Sequence, residues 1–489
     1  MKKIGNATRT PRMSLIVFIV LGTLSMETLL SAPPDEDVPP MPLNDQGTPK
    51  AAATPPKGPS LFDTSTPNLE LGSGTSDMIP ALESSVQPAS EENVEQKTPP
   101  PLPLPGLNSQ WVTSGMEFPP LFGTEQTTEY SERSLLLTGK WHVTPHLSVS
   151  TVYDDNIYVQ SQGAQADTIV TASPGITFLL GDNESEYYLV ADYTLGAEFY
   201  ASHSSLDTID QNASVNFRWA LAKTTLNFHA VVADDSGTSL DAGERVHRYY
   251  YDFLLAAHYV VSDKTSFDAN TDFNFTDYQG LIGSDQIQAQ GFFNYDFSPK
   301  TTFGIGATLG YMTVEGAAAQ TFEQANARIN YRATDKLSLA ATFGIECRQL
   351  SQGGGESNTP VFGVQASWQP RAGTLVAIGA SRETYASAIL DDQNYVSTVL
   401  DATITQRLTD RARISLGAGY VNSGYSATAS GVEASREDNY FYLRPAVRFH
   451  LYGWLDLSLF YEFSENFSSG QGGDSFRRNQ VGIQSSTTF

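Results

Sequence analysis

Charged side chains recur at alternate positions along much of the chain, and their sign differs between its two halves. The first half of the pattern carries acidic residues, namely Asp192, Glu198, Asp268, Asp272 and Asp296. The second half carries arginines, namely Arg328, Arg332, Arg382, Arg413, Arg444 and Arg448. If both groups face one enclosed space, they form an acidic wall and a basic wall with an electric field between them. Such a field orients dipolar solutes and admits small ions of both signs, as a channel lining does.

Few residues have the spacing that catalysis or metal binding requires. The seven histidines are scattered, and Asp252 with His258 or His229 with Asp234 are the only acid–histidine pairs that suggest a barrel-rim hydrolase. The segment Asp154–Asn156 has calcium-ligand residue types, but a solvated loop explains it better. A single cysteine excludes an internal disulfide and a cysteine-based metal cluster. The sequence therefore predicts no enzyme, no metal and no cofactor.

The charged positions lie in stretches where apolar and polar residues alternate. Between Trp454 and Phe467 the apolar side chains fall on every second residue, namely Leu455, Leu457, Leu459, Tyr461 and Phe463. Stretches at 266–277 and 322–332 alternate in the same way. Because side chains on a strand alternate between its faces, each stretch is predicted to be a strand with one apolar and one polar face.

Short turns of similar composition separate these strands. They recur at Ser262–Lys264, Ser298–Lys300, Thr334–Lys336 and Thr409–Arg411, with a looser version at Pro370–Gly373, and successive turns lie roughly 36 to 44 residues apart. Longer polar segments, at 234–245, 352–358 and 422–438, fall between them. Eighteen strands are predicted, beginning near residues 146, 167, 185, 209, 225, 247, 265, 285, 301, 319, 337, 358, 374, 395, 412, 437, 454 and 474.

Two further expectations concern the start of the strand pattern and the width of the lumen. Residues 135–143 are taken as a lead-in that ends at a turn at Thr144–Pro145, although they have the character of one more strand. No loop is long enough to be an obvious constriction of an enclosed lumen. Any narrowing is therefore expected from long side chains or from the N-terminal segment.

The apolar face indicates a membrane rather than a soluble sandwich. Tyrosines lie on it near strand ends, as membrane-interface girdles require, namely Tyr249, Tyr251, Tyr259, Tyr311, Tyr331 and Tyr461. The chain ends on Phe489, in phase with Val481 and Ile483, which is typical of the signal that barrel assembly machinery reads. We therefore predict an all-β fold over 134–489: a transmembrane antiparallel up-and-down β-barrel of about 18 strands in the outer-membrane lipid.

The N-terminal residues indicate export. Lysines and arginines precede an apolar run from Leu15 to Leu24, so residues 1–32 read as a signal peptide. Residues 33–125 hold 19 of the 26 prolines and are acidic, which predicts a disordered segment in the periplasm. That segment is a spacer, a tether for a periplasmic partner, or a plug for the lumen. The net charge of -25 argues against a nucleic-acid partner.

One local stretch carries a family resemblance. Residues Trp141–Ser150 (WHVTPHLSVS), followed by Tyr153–Tyr158 (YDDNIY), resemble the opening of the β-barrel porin 2 family. Residues Thr168–Leu180, which include Ser173–Gly175, are similar to that family's second strand. The resemblance implies a barrel with a porin-like role and names no substrate.

Passive diffusion of small hydrophilic solutes is the leading functional hypothesis. The first alternative is an outer-membrane component of exopolysaccharide export, in which inward aromatic rings stack on sugars; the candidates are Tyr250, Phe292, Tyr440, Tyr442 and Phe460. The second alternative is an envelope structural protein without an open pore, in which the acidic N-terminal segment is the functional part.

Overall fold

The computed structural model describes the backbone of residues 136–138, and residues 141–182, 185–350, 355–470 and 472–489 in full. The predicted signal peptide (1–32) and proline-rich segment (33–125) lie outside the described residues. Within the described part, no helix is long and apolar enough to cross a membrane.

The described chain is built from β-strands and one short 3-10 turn at Ser204–Leu206. The strands are β1 (Leu136–Thr138), β2 (Trp141–Asp154), β3 (Asp167–Leu180), β4 (Tyr187–Tyr200), β5 (Thr208–Ala220), β6 (Thr224–Ser239), β7 (Glu244–Ser262), β8 (Thr265–Tyr278), β9 (Ser284–Ser298), β10 (Thr301–Val314), β11 (Gln320–Thr334), β12 (Leu337–Leu350), β13 (Gly355–Arg371), β14 (Thr374–Ala386), β15 (Gln393–Thr409), β16 (Ala412–Ala427), β17 (Glu437–Tyr452), β18 (Leu455–Ser469) and β19 (Phe476–Thr488).

The strands form a closed barrel. From β2 onward each strand pairs antiparallel with the next, and β19 pairs back onto β2, with Val481 opposite Tyr153. The barrel therefore has eighteen strands, β2 to β19, and no unpaired edge among them. The short β1 pairs with Trp141–Val143, just beyond the point where β19 ends. This confirms the predicted fold class and strand number.

The outer surface of the barrel is apolar. Phe297, Ile305 and Leu309 on β9 and β10 are 68%, 70% and 60% exposed. Their polar neighbours along each strand point inward, because successive side chains alternate between faces. Tyr259, Tyr311, Tyr331 and Tyr461 from the predicted girdle are also exposed on the outside. An apolar belt of this kind is stable against lipid and not against water, so the barrel lies in a membrane.

The two ends of the barrel differ. One end carries short turns, such as 263–264 between β7 and β8 and 299–300 between β9 and β10. The other carries longer loops, such as 155–166 between β2 and β3 and 428–436 between β16 and β17. In outer-membrane barrels the short turns face the periplasm, so the long loops form the outer mouth.

All strand starts but one lie within three residues of the prediction, and the exception is the first strand, β2. Thr144 and Pro145 lie inside β2, so the predicted turn there is wrong, and the lead-in at 135–143 divides between β1 and β2. The predicted long segments are largely strand: 234–239 extend β6 and 422–427 extend β16. About 9–11 residues suffice to cross a bilayer, so these 16-residue strands project beyond it at the outer mouth.

Candidate pore lining and outer mouth

Strand register decides which predicted wall residues face the lumen. Paired residues on neighbouring strands share a face. Asp192 pairs with Ser214, and its neighbour along the strand, Tyr193, is exposed on the outside. The same alternation turns inward all the acidic wall residues, which are Asp192, Glu198, Asp268, Asp272 and Asp296. It also turns inward five arginines of the basic wall, which are Arg328, Arg332, Arg413, Arg444 and Arg448.

Arg382 is the exception among the predicted wall residues. It pairs with Phe362 and Thr398 on the face that carries the exposed Leu400, and it donates to Thr398 Oγ1 at 2.5 Å. The expectation of an inward Arg382 is therefore wrong. The reason is local: β14 begins with adjacent apolar residues and continues with small ones, so its sequence shows no clear alternation.

Charges of opposite sign on the inner face are partly paired with each other. Arg328 contacts Asp268 directly, and His258 Nδ1 lies 2.5 Å from the same carboxylate. Arg444 lies 3.3 Å from Glu462 on the adjacent strand β18. These pairs lower the field that two separate walls would produce: the Arg328–Asp268 pair removes one charge from each wall, and Glu462 neutralises a charge of the basic wall.

Three arginines form a row near the short-turn end of the lumen. Arg407 on β15 lies directly opposite Arg413 on β16, which lies directly opposite Arg448 on β17. The carboxylate of Asp456 on the next strand lies 2.8 Å from His450. Like charges at directly opposite positions repel, so the row makes this part of the wall strongly positive and attractive to anions.

The inward aromatic rings lie flat against the wall. A Cβ atom added at Gly306 would fall 2.6 Å from the Phe292 ring, so the ring covers a glycine of the neighbouring strand. Phe460 covers Gly482 in the same way. The Arg328 guanidinium lies 4.2 Å from the centre of the Phe292 ring. Rings that cover a glycine and contact a cation stabilise the wall and leave less of their surface for stacking on a solute.

The outer mouth is crossed by the β6–β7 loop, residues 240–243. Leu240 at its tip is 9% exposed. It packs in one cluster with residues of the β2–β3 loop and of β15, β16, β17 and β19, namely Val159, Val399, Val421, Tyr440, Tyr442 and Phe476. β16 lies ten strand positions from β6 in a ring of eighteen, so the loop reaches the opposite wall. Tyr440 and Tyr442 are buried beneath it, which removes two of the predicted sugar-stacking candidates.

This crossing corrects the expectation that no loop is long enough to constrict the lumen. The loop itself has only four residues. The reach comes instead from its strands, because β6 and β7 have 16 and 19 residues and extend past their neighbours as a hairpin. Loop length alone was therefore the wrong criterion.

A buried carboxylate fixes the tip of the β6–β7 loop to the opposite wall. Asp241 accepts hydrogen bonds from the Ala388 amide at 2.5 Å, the Tyr425 hydroxyl at 2.8 Å and the Ser387 hydroxyl at 3.0 Å. Arg436 Nη1 lies 3.8 Å from its carboxylate and donates to its main-chain oxygen at 2.8 Å. The loop is thus held by side chains from three separate segments.

Burial raises the pKa of Asp241 above its ordinary value. Arg436 does not reverse this, because its guanidinium already binds Asp438 through Nε at 3.0 Å and Nη2 at 2.6 Å. Two carboxylates thus share one guanidinium in a site that excludes water.

The β2–β3 loop, residues 155–166, fills the mouth on one side of this crossing. Asp154 binds Arg478 of β19, and Asn156 donates to the main-chain oxygens of Gln160 and Arg477 at 2.9 and 3.0 Å. Val159 has a φ of 49°, which is strained for a β-branched residue and is held by its burial against Leu240. The acidic segment considered for calcium thus makes internal contacts that fix this loop.

A recess of about 1020 Å³ that opens to solvent lies on the other side of the crossing. Its lining comes from the inner faces of β7 to β15, including Tyr250, Asp272, Gln288, Glu346 and Tyr385. The β8–β9 and β14–β15 loops meet beside it, where the Ile282 amide donates to the Ala388 oxygen at 2.8 Å. The outer mouth is therefore filled on one side and hollow on the other.

The acid–histidine pairs considered from the sequence are not brought together. His258 binds Asp268, as described above, rather than Asp252. His229 lies 2.7 Å from Asn216 Oδ1, whereas Asp234 binds His247 at 2.6 Å on the outward face. Each histidine therefore serves a contact between neighbouring strands.

No protein-family model matches the chain, and no curated protein matches it. Among solved structures, OpdO of Pseudomonas aeruginosa covers 72% of this chain and 98% of its own at 13% identity and a TM-score of 0.41. OpdK of the same organism, solved with vanillate, covers 71% and 99% at 11% identity and 0.40. The siderophore receptor PirA covers 71% and 80% at 10% identity and 0.36. Likeness at this level carries no information about what this chain binds.

The closed strand ring, the apolar belt and the polar inner face together define an outer-membrane β-barrel of porin-like build.

Proposed function

We propose that this protein is a channel for passive diffusion of small hydrophilic solutes across the outer membrane. The observation that carries the proposal is the closed eighteen-strand ring with a polar inner face. Rings of about 16–18 strands enclose an aqueous channel rather than a packed interior. A polar wall is costly unless water or solute meets it.

The inner charges supply a selectivity mechanism. Asp272 and Asp296 on β8 and β9 face the lumen, and the row Arg407–Arg413–Arg448 faces it from β15 to β17. In this row three arginines of the inner face meet on neighbouring strands, which concentrates positive charge on the basic side. We expect a channel that admits ions of both signs and favours small anions at its periplasmic end.

The proposal extends to assembly and family. We infer that β19, together with Phe489 that follows it, is read by the barrel assembly machinery; Phe489 is 52% exposed and its amide donates to the Pro145 oxygen at 3.0 Å. We also infer export through residues 1–32, a periplasmic position for residues 33–125, and membership of the β-barrel porin 2 family from the resemblance at 141–158. A role as an enzyme is not part of the proposal.

Proteoliposome swelling tests solute passage. Vesicles that contain the full chain should swell in neutral solutes at rates that fall as solute size rises. The control is a set of vesicles with a folded outer-membrane barrel of eight strands, whose interior is filled by side chains. Swelling no faster than in that control, for every solute, would contradict passive diffusion.

A further inference from the structure

The recess beside the β6–β7 loop has the shape and chemistry of a solute site. It lies in the outer half of the lumen, where solute arriving from outside first meets the inner wall. Its open space of about 1020 Å³ is continuous with bulk solvent, so a small solute can enter it without any rearrangement of the wall.

Among the described residues that line the recess, Arg348 is the one arginine, and it is turned into the wall. Arg348 and Glu346 are 3% and 4% exposed, and Arg348 Nε donates to Glu346 at 2.9 Å. Arg348 also lies 4.4 Å from the centre of the Phe322 ring and donates to Gln320 at 3.2 Å. The recess therefore presents no accessible cation to an anionic solute.

Side-chain amides, carboxylates and phenol hydroxyls make up most of its polar surface. Asn274 donates to the Tyr250 hydroxyl at 2.9 Å, and Gln288 Nε2 donates to Asp272 at 3.3 Å. The Tyr385 hydroxyl donates to Glu383 at 2.6 Å. Gln286, Gln324, Thr276 and Ser284 add further donors and acceptors, whereas the apolar residues Met312, Phe322 and Val361 are at most 5% exposed and contribute little surface.

This combination fits a molecule with many hydroxyl groups. An amide or a carboxylate has two polar atoms on one planar group, which match a pair of neighbouring hydroxyls, and hydroxyls both donate and accept. Asp272 and Glu383 repel anions and accept hydrogen bonds from hydroxyl groups.

We propose that the recess is a binding site for neutral polyhydroxylated solutes of the size of a mono- or disaccharide. The site lies on the path of the channel proposed above and rests on that function for its role. Its occupancy is measurable without conduction. Anionic sugars bind more weakly there than neutral ones.

Saturation-transfer NMR that measures the binding of sucrose to the full chain in detergent tests the site directly. Gln286→Ala should raise the dissociation constant roughly fivefold, the cost of about one lost hydrogen bond. Asn274→Ala should act similarly. Gln365→Ala is the matched control, because Gln365 on β13 faces inward outside the recess, and it should leave binding unchanged.

A second readout is the sucrose block of ion current through the full chain in a planar bilayer, with the same three variants. Absence of sucrose binding to the wild-type chain, or equal binding by all variants, would overturn the site even where current is observed. Tighter binding of glucosamine than of sucrose would overturn it in favour of a cation site. Conversely, sucrose binding without any current would keep the site and remove the channel.

Discussion

The contact of Asp241 with the far wall predicts that one substitution opens the outer mouth. In Asp241→Ala the tip of the β6–β7 loop loses its hydrogen bonds from Ser387, Ala388 and Tyr425. Arg436 keeps Asp438 as its partner, so no uncompensated charge remains. The loop should then leave the far wall more often.

The size of this effect follows from the contacts that are lost. Three hydrogen bonds at about 1 kcal/mol each give roughly 3 kcal/mol. Because about 1.4 kcal/mol corresponds to a tenfold change, the ratio of docked to undocked loop should fall roughly 100-fold. Leu240 still contributes about 2 kcal/mol through its buried side chain, so docking is weakened rather than abolished.

Single-channel recording in planar bilayers measures this change. The wild-type chain should show a low main conductance with rare, larger openings, and Asp241→Ala should show the larger openings far more often. Asp391→Ala is the control, because it removes the same charge from an exposed position in the β14–β15 loop. Identical traces for all three proteins would refute the inference that this loop constricts the mouth.

Three other predictions concern pH, selectivity and stability. Because the pKa of Asp241 is raised in the docked loop, docking binds a proton and is increasingly favoured as pH falls through that raised pKa toward the ordinary carboxyl value; current should therefore decrease on acidification and recover as pH rises, and Asp241→Asn should abolish the dependence. The double variant Arg413→Gln, Arg448→Gln should shift the reversal potential toward cation selectivity in a salt gradient, whereas Arg411→Gln in the β15–β16 turn should not. Gly310→Ala places a Cβ against the Phe322 ring and should lower the free energy of unfolding in urea by about 1–3 kcal/mol. Gly424→Ala is the control, because a Cβ added at Gly424 meets open space, and it should leave the free energy of unfolding unchanged. Equal stability of the two variants would contradict the account of rings over glycines.

Alternation and turn chemistry were sufficient to predict the barrel. Strands with one apolar and one polar face must pair with each other, and in lipid the sheet must close into a barrel, because no strand edge can stay unpaired there. The number of strands then followed from counting the alternating segments. The face of most charged residues followed from the same alternation. Arg382 shows the limit of the method, because β14 lacks contrast between its faces and register alone decides its direction.

The outer mouth could not be predicted from the sequence. Asp241 and Arg436 are 195 residues apart, and neither belongs to a motif that marks them as partners. The crossing depends on how far β6 and β7 extend past their neighbouring strands. It also depends on the direction that the curvature of the barrel gives to the end of this hairpin. Periodicity reports the face of a residue and contains no such three-dimensional information. A clue was present in the apolar Leu240 within a polar segment.

Single-channel conductance of the full chain, folded into a planar bilayer, tests the central claim most directly. The account predicts stable, ohmic current steps that persist in the wild-type chain and grow in Asp241→Ala. Silence from protein that is folded by circular dichroism and heat-modifiable mobility, in the wild type and in Asp241→Ala alike, would contradict a channel and leave a barrel with a structural role in the envelope.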